Sequence, residues 1–229
     1  MHTVRVWDLP TRLFHWSLVA CVIGLVITGN LGGNWMNWHF RFGYAVLTLL
    51  LFRLGWGFLG GHWSRFASFV RGPSAILHYL KDQASPLHSV GHNPLGALSV
   101  LAMLLVLLAQ VTSGMFADDE ISFYGPLTGL ASGDIISLAT WYHKAVGKLL
   151  ILALVALHVL AILYYRLVRK QALTSAMVHG DRRVDASGSA LPTSADGGRQ
   201  RTLALVLLAM CAAATWALVT WGYAQGGGL

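Results

Sequence analysis

The chain has 229 residues, 55% of them hydrophobic and 11% charged, with a mean hydropathy of +0.59. That is too apolar for a water-soluble domain of this length and marks a polytopic membrane protein. The net charge of +7 is confined to particular connections, so it reports topology and argues against a nucleic-acid partner.

Crossing a hydrocarbon core of about 30 Å takes roughly 20 helical residues. Five stretches meet that length, predicted near 11–30, 41–60, 95–116, 141–165 and 203–223. The first follows Arg5 and Arg12, as a signal sequence would. No small-residue cleavage motif ends it, however, and it continues through Ile27, Thr28 and Gly29 into a tryptophan-rich turn, so it reads as a retained anchor. Residues 73–83, PSAILHYLKDQ, start at a proline and alternate at helical spacing, which predicts a short helix lying on the membrane surface. The third span opens at GHNPLGAL, where Asn93 suits a cap and Pro94 the first turn. Rich in Ser, Ala, Gly and Asp, the stretch from Asp181 to Gln200 reads as a flexible connection before the last span. Cys21 and Cys211 fall inside spans one and five as packed apolar residues.

Orientation follows from the basic residues. The amino-terminal arm, the connection from Arg53 to Lys81 and that from Arg166 to Arg201 hold thirteen of the sixteen Lys and Arg. Arg41, Lys144 and Lys148 remain on the other side, where the connection from Ala117 to Thr140 carries Asp118, Asp119, Glu120 and Asp134. Positive charge stays inside, so the amino terminus is expected in the cytoplasm and the carboxyl terminus outside. Trp35, Trp38 and Trp141 are expected at the outer headgroup level, and Trp7, Trp56 and Trp63 at the inner one.

Four histidines lie within the apolar segments: His15, His39, His143 and His158. Ionisable residues are costly there and mark a pathway or a bound cofactor. With the amino terminus inside, His15 is inner, His39 outer, His143 outer and His158 inner, so the level pairs are His15 with His158 and His39 with His143. His143 and His158 are fifteen residues apart, about 22 Å along a helix and about 60° apart in azimuth. Zinc needs three or four donors in one cluster, and neither level offers a third. A porphyrin brings four equatorial nitrogens and needs one axial imidazole per face, which two facing helices provide. With no CxxCH motif for covalent attachment, the pattern points to two haem b groups.

Gly43 and Gly147 each follow an outer histidine by four residues, on the same helical face, where they leave a flat space for a macrocycle edge or serve close helix packing. Cationic partners for haem propionates are expected in Arg12 and Arg53 on the inner side and in Arg41, Lys144 and Lys148 outside. Arg53 stands out because an arginine within a span faces the protein interior or snorkels to the surface. His2, His62, His78, His88 and His179 fall at termini or in connections and read as solvated or interfacial. His92, at the entrance of the third span, stays outside the ligand set as a structural residue or the lining of an inner quinone or proton site.

The run VWDLPTRLFHWSLV, the segment WHFRFGY and the closing HKAVGKLLILALVALHV resemble the prokaryotic cytochrome b561 family, which includes b-type cytochrome subunits of nickel-iron hydrogenases. The resemblance covers residues 3–168 and implies that the same four histidines are axial ligands and that the chain transfers electrons across a membrane with quinone involved. The expected fold is an all-α membrane protein, a four-helix transmembrane bundle holding two haems plus a fifth transmembrane helix. Its expected organisation is a di-haem domain over 1–168, a cytoplasmic connection over 169–202 and the fifth helix with a short periplasmic tail over 203–229.

No catalytic triad or phosphate-binding loop appears. The expected activity is electron transfer in the bacterial inner membrane between the quinone pool and a periplasmic redox protein, either a c-type cytochrome or a hydrogenase. The acidic outer connection reads as a solvated loop or as a docking surface for a basic partner. The alternative is a stand-alone oxidoreductase acting on superoxide or a metal ion at the outer haem. A proton-relaying transporter should show broken helices or an inverted repeat, and neither is evident.

Overall fold

The computed structural model describes residues 2–81, 90–184 and 191–226. It is helical almost throughout. Five helical runs are long and apolar enough to cross a membrane: Leu9–Leu31, Gly33–Leu59, Pro94–Phe116, Gly133–Leu167 and Gly198–Gln225. All five predicted spans are therefore present, although the second and fourth begin eight residues, and the fifth five residues, before the expected start. In chain order, strand β1 (His2–Arg5) precedes α1 (Leu9–Leu31), and a 3-10 turn (Gly33–Trp35) leads into α2 (Met36–Leu59). Short helices α3 (Phe66–Phe69) and α4 (Pro73–Leu80) follow, then α5 (Pro94–Phe116). Next come α6 (Gly133–Trp141), a π-helical turn (Tyr142–Gly147) and α7 (Lys148–Leu167). Helix α8 (Leu173–His179), strand β2 (Asp181–Val184) and α9 (Gly198–Gly226) complete the order.

Two of the long helices start on side-chain caps. The Asn93 side-chain oxygen accepts the Gly96 N–H at 2.7 Å, three residues in, with Pro94 filling the first helical position. Asp8 caps α1 in the same way through Thr11 N–H at 2.8 Å. Helix α4 matches the short helix predicted from Pro73, although residues 82–83 of that segment, like His88, lie outside the described residues.

The chain divides into two compact units. The first comprises residues 1–15, 53–102 and 156–207. Its apolar centre is Val4, Val6, Trp7, Trp63, Val90 and Ala176, closed by an antiparallel pairing of β1 with β2. Asp8 is completely buried here and accepts hydrogen bonds from Trp56 Nε1, Gly61 N–H and Ser64 Oγ as well as from Thr11. Gly180, at φ 91, ends α8 and turns its carbonyl to the N–H groups of Val6 and Trp7.

Two expectations are corrected in this unit. Trp7, Trp56 and Trp63 are buried and not displayed as a belt: Trp56 donates to Asp8, Trp63 donates to the Pro192 carbonyl at 2.8 Å, and Trp7 packs against the His92 ring. The stretch expected to be a flexible connection supplies β2 and two anchors. Ser194 donates to the Val6 carbonyl, and Asp196 pairs with Arg5 at 2.6 Å.

The second unit comprises residues 16–52, 103–155 and 208–229. Its core is Val46, Leu47, Leu50, Leu107, Val111, Met115 and Val219. Thr48 donates to Thr215 at 3.0 Å and Tyr44 bonds Tyr223 at 3.0 Å, which joins α9 to α2 by polar contacts within this apolar setting. Trp35, Trp38 and Trp141 are exposed, as an interfacial position requires.

Candidate functional site

Each unit contains one of the expected histidine pairs. In the first, the rings of His15 from α1 and His158 from α7 have centroids 6.5 Å apart. In the second, His39 from α2 and His143 from the π-helical turn have centroids 6.1 Å apart. Two metal–nitrogen bonds of about 2 Å on opposite sides of one iron place the ring centroids about 6 Å apart, so both spacings fit one bis-imidazole iron. Among the described residues, no group of three or more His, Cys, Asp or Glu side chains gathers as a metal cluster. The donor set suits a cofactor that carries its own equatorial ligands.

His39 and His143 are held in the same manner. His39 Nδ1 lies 3.1 Å from the Leu25 carbonyl and 3.4 Å from Thr28 Oγ1. His143 Nδ1 lies 2.8 Å from the Gln110 carbonyl and 3.4 Å from Ser113 Oγ. A carbonyl oxygen only accepts, so Nδ1 carries the proton in both rings and Nε2 keeps its lone pair for a metal. One residue beyond each hydroxyl stands a glycine against the ring: an added Cβ would come within 3.0 Å of His39 at Gly29 and within 2.7 Å of His143 at Gly114.

These contacts expose an echo missed at the level of sequence: Val26-Ile27-Thr28-Gly29 on α1 and Val111-Thr112-Ser113-Gly114 on α5. The shared pattern, valine, any residue, hydroxyl, glycine, is legible once known. It acquires meaning only when the two histidines arrive from other helices.

The π-helical turn has its own partner. Widening a helix to i→i+5 bonding leaves a carbonyl to be satisfied from outside, and Gln110 Nε2 donates to the His143 carbonyl at 2.9 Å. The two glycines expected to leave a flat space differ. Gly43 opens onto nothing within 4 Å, whereas a Cβ at Gly147 would collide with Gln110 Oε1 and Tyr142. The room beside Gly147 is taken by the glutamine that serves the turn.

The cations are distributed as follows. Arg53 is 3% exposed, lies 4.9 Å over the Phe66 ring, and has a buried Nη1 with no hydrogen-bond partner. A buried unpartnered donor on a cation is the feature a carboxylate would satisfy. Arg12 instead donates to the Val178 carbonyl at 2.7 Å and lies 3.9 Å from Asp196. Arg41 stacks on Trp38, and Lys148 donates to Asn30 at 2.9 Å. Lys144 is exposed. His92 is wedged between Trp7 and Phe69, centroids 4.7 and 4.6 Å away, with Nδ1 buried and unpartnered. Burial, then the charges of Arg53 and His158, push its pKa down to about 3, so it is neutral at physiological pH.

In the acidic connection Asp118 pairs with Tyr124 as an isolated bridge, and Ile121 is 88% exposed. The Asp119 carboxylate accepts the N–H groups of Phe123, Ser122 and Ile121, which hold it below the usual carboxylate range.

The profile described as prokaryotic cytochrome b561 matches residues 6–180, well over half of the chain. The chain belongs to the prokaryotic cytochrome b561 family. As a b-type cytochrome it takes haem b, and it is a multi-pass membrane protein. Among its relatives is a "Probable Ni/Fe-hydrogenase B-type cytochrome subunit" of Azotobacter chroococcum mcd 1, 26% identical over 78% of this chain and 88% of that protein. A "Probable Ni/Fe-hydrogenase 1 B-type cytochrome subunit" of Escherichia coli (strain K12) is 26% identical over 77% and 89%. A Cupriavidus necator protein named as the first is 26% identical over 77% and 86%. No solved structure matches this cytochrome b561 chain.

Proposed function

We propose that this chain is a di-haem relay carrying electrons across the bacterial inner membrane between the quinone pool and a periplasmic redox protein. The observation that carries the reading is the pair of histidine couples, with ring centroids 6.5 and 6.1 Å apart, each a separation suited to one iron. His15 and His158 hold one haem b, and His39 and His143 the other. Each haem supplies a one-electron couple, and the protein supplies position, axial ligation and a low dielectric.

The remaining residues orient and neutralise. The Leu25 and Gln110 carbonyls fix the tautomer of the outer imidazoles, so that each presents Nε2 to the metal. The unpartnered Arg53 Nη1 would neutralise a carboxylate of the haem held by His15 and His158, and the open space beside Gly43 would leave room for the haem held by His39 and His143. Arg12, Arg41, Lys144 and Lys148 act at the membrane faces. Residues 1–168 form the di-haem domain, with 169–202 as a cytoplasmic connection and 203–229 as the fifth helix and periplasmic tail. The charge distribution supports a cytoplasmic amino terminus and a periplasmic carboxyl terminus. The names of the relatives support a hydrogenase as the redox partner over a c-type cytochrome, and a hydrogenase would feed electrons in.

Liposomes carrying the purified chain and loaded with ferricyanide test this when decylubiquinol is added outside. Wild-type chain should accelerate reduction of the trapped ferricyanide, and His39→Ala should fall to the protein-free background. Equal rates for the two would contradict the proposal.

A further inference from the structure

We propose that the turns Val26–Gly29 and Val111–Gly114 are a matched pair of positioning devices, in which Thr28 and Ser113 set the potential of the outer haem with opposite signs. The inference rests on His39 and His143 ligating that haem. Thr28 and Ser113 act through the histidines, as positioning residues.

The opposition comes from where each hydroxyl sends its proton. Thr28 Oγ1 donates to the Gly24 carbonyl at 2.6 Å, in preference to the Leu25 carbonyl 3.4 Å away, so its oxygen faces His39 Nδ1, also 3.4 Å away, as a second acceptor beside the 3.1 Å bond to Leu25. Acceptors on Nδ1–H make an imidazole a better donor to its metal, which favours the ferric state and lowers the potential. Ser113 Oγ donates at 2.9 Å to the Gln110 carbonyl, the same oxygen that accepts His143 Nδ1–H at 2.8 Å, while its own oxygen stands 3.4 Å from His143 Nδ1. At 2.9 Å against 3.4 Å, the competition for that acceptor outweighs the contact with Nδ1 and weakens the imidazole's donation. Thr28 therefore lowers the potential and Ser113 raises it. The glycines complete the device: a methyl at Gly29 or Gly114 would press on the ring and turn it out of line with the carbonyl.

The test is redox titration of purified Thr28→Val and Ser113→Ala, following the potential that is absent from His39→Ala. Expected is a rise in that potential in Thr28→Val and a fall in Ser113→Ala, with the second potential and the haem stoichiometry unchanged and with Thr28→Ser returning to the wild-type value. No movement, movement of both variants in one direction, or movement of the other haem overturns the proposal. If a variant loses haem, selective loss from the His39–His143 site with recovery in Thr28→Ser or Ser113→Thr supports it, and loss from both sites overturns it. Should His39→Ala keep its full haem complement, the ligand assignment beneath the inference fails, a result distinct from unmoved potentials in a protein whose His39→Ala variant lacks one haem.

Discussion

Gln110 holds His143 from two directions: its side-chain amide donates to the His143 carbonyl at 2.9 Å, and its own carbonyl accepts His143 Nδ1–H at 2.8 Å. One residue thereby satisfies the π-helical turn and aims the imidazole. Gln110→Leu keeps the bulk but leaves that carbonyl unpartnered within an apolar segment, a cost of about 1–3 kcal/mol. Thermal unfolding in detergent should show a lowered Tm together with weakened haem retention at one site. A Tm and haem content equal to wild type would remove Gln110 from the account.

Gly43 and Gly147 should respond differently to the same change. Leu at Gly43 enters open space beside His39 and should block one haem while the chain still folds. At Gly147 it meets Gln110 and Tyr142, so the whole protein should lose stability. Haem content per folded chain, measured after size-exclusion chromatography, separates the two. Full haem content in Gly43→Leu would reject the clearance role.

Arg53 places a buried positive charge in the unit that holds His15 and His158. A nearby cation favours the less positive ferrous state, so Arg53→Leu should lower the inner haem potential and Arg53→Lys should lower it less. Potentiometric titration reads this directly. An unmoved inner potential would dismiss the propionate pairing.

Asp196 fastens the amino-terminal arm to the segment before α9. Burial, the largest single influence, pushes its pKa up, but the Leu9 N–H with Arg201 and Arg5 more than offsets this and holds it below the usual carboxylate value. A carboxylate depressed in the folded state stabilises above its unfolded pKa of about 4, and that stability is lost as pH falls through the folded value. Stability should therefore decline in acid, and Asp196→Asn should start lower and flatten that limb. An unchanged acid limb in Asp196→Asn would show that the contribution lies elsewhere.

Some of this was written plainly in the chain. Spans were visible because lipid demands long apolar helices, and the histidine pairs because ionisable residues stand out within them. The Asn93 cap is a local signal, readable within four residues. Other features depend on partners distant in sequence. Gln110 looks like any polar residue in a span until the π-helical turn presents its carbonyl. The echo at Thr28–Gly29 and Ser113–Gly114 is too short to register without the histidines beside it. Trp7, Trp56 and Trp63 carry the composition of an interfacial belt, yet Asp8 and Pro192 offer the indoles of Trp56 and Trp63 partners inside the fold and His92 packs against Trp7. Residues 181–200 have the composition of a linker and still yield β2, Ser194 and Asp196, because pairing with the amino-terminal arm supplies what local propensity lacks.

Pyridine haemochrome quantitation of the purified chain, expressed with ample haem supply, tests the central claim most directly. The account predicts two b-type haems per polypeptide, one lost in His15→Ala or His158→Ala and the other in His39→Ala or His143→Ala. A single haem that survives substitution of either pair, or a colourless protein, would contradict it.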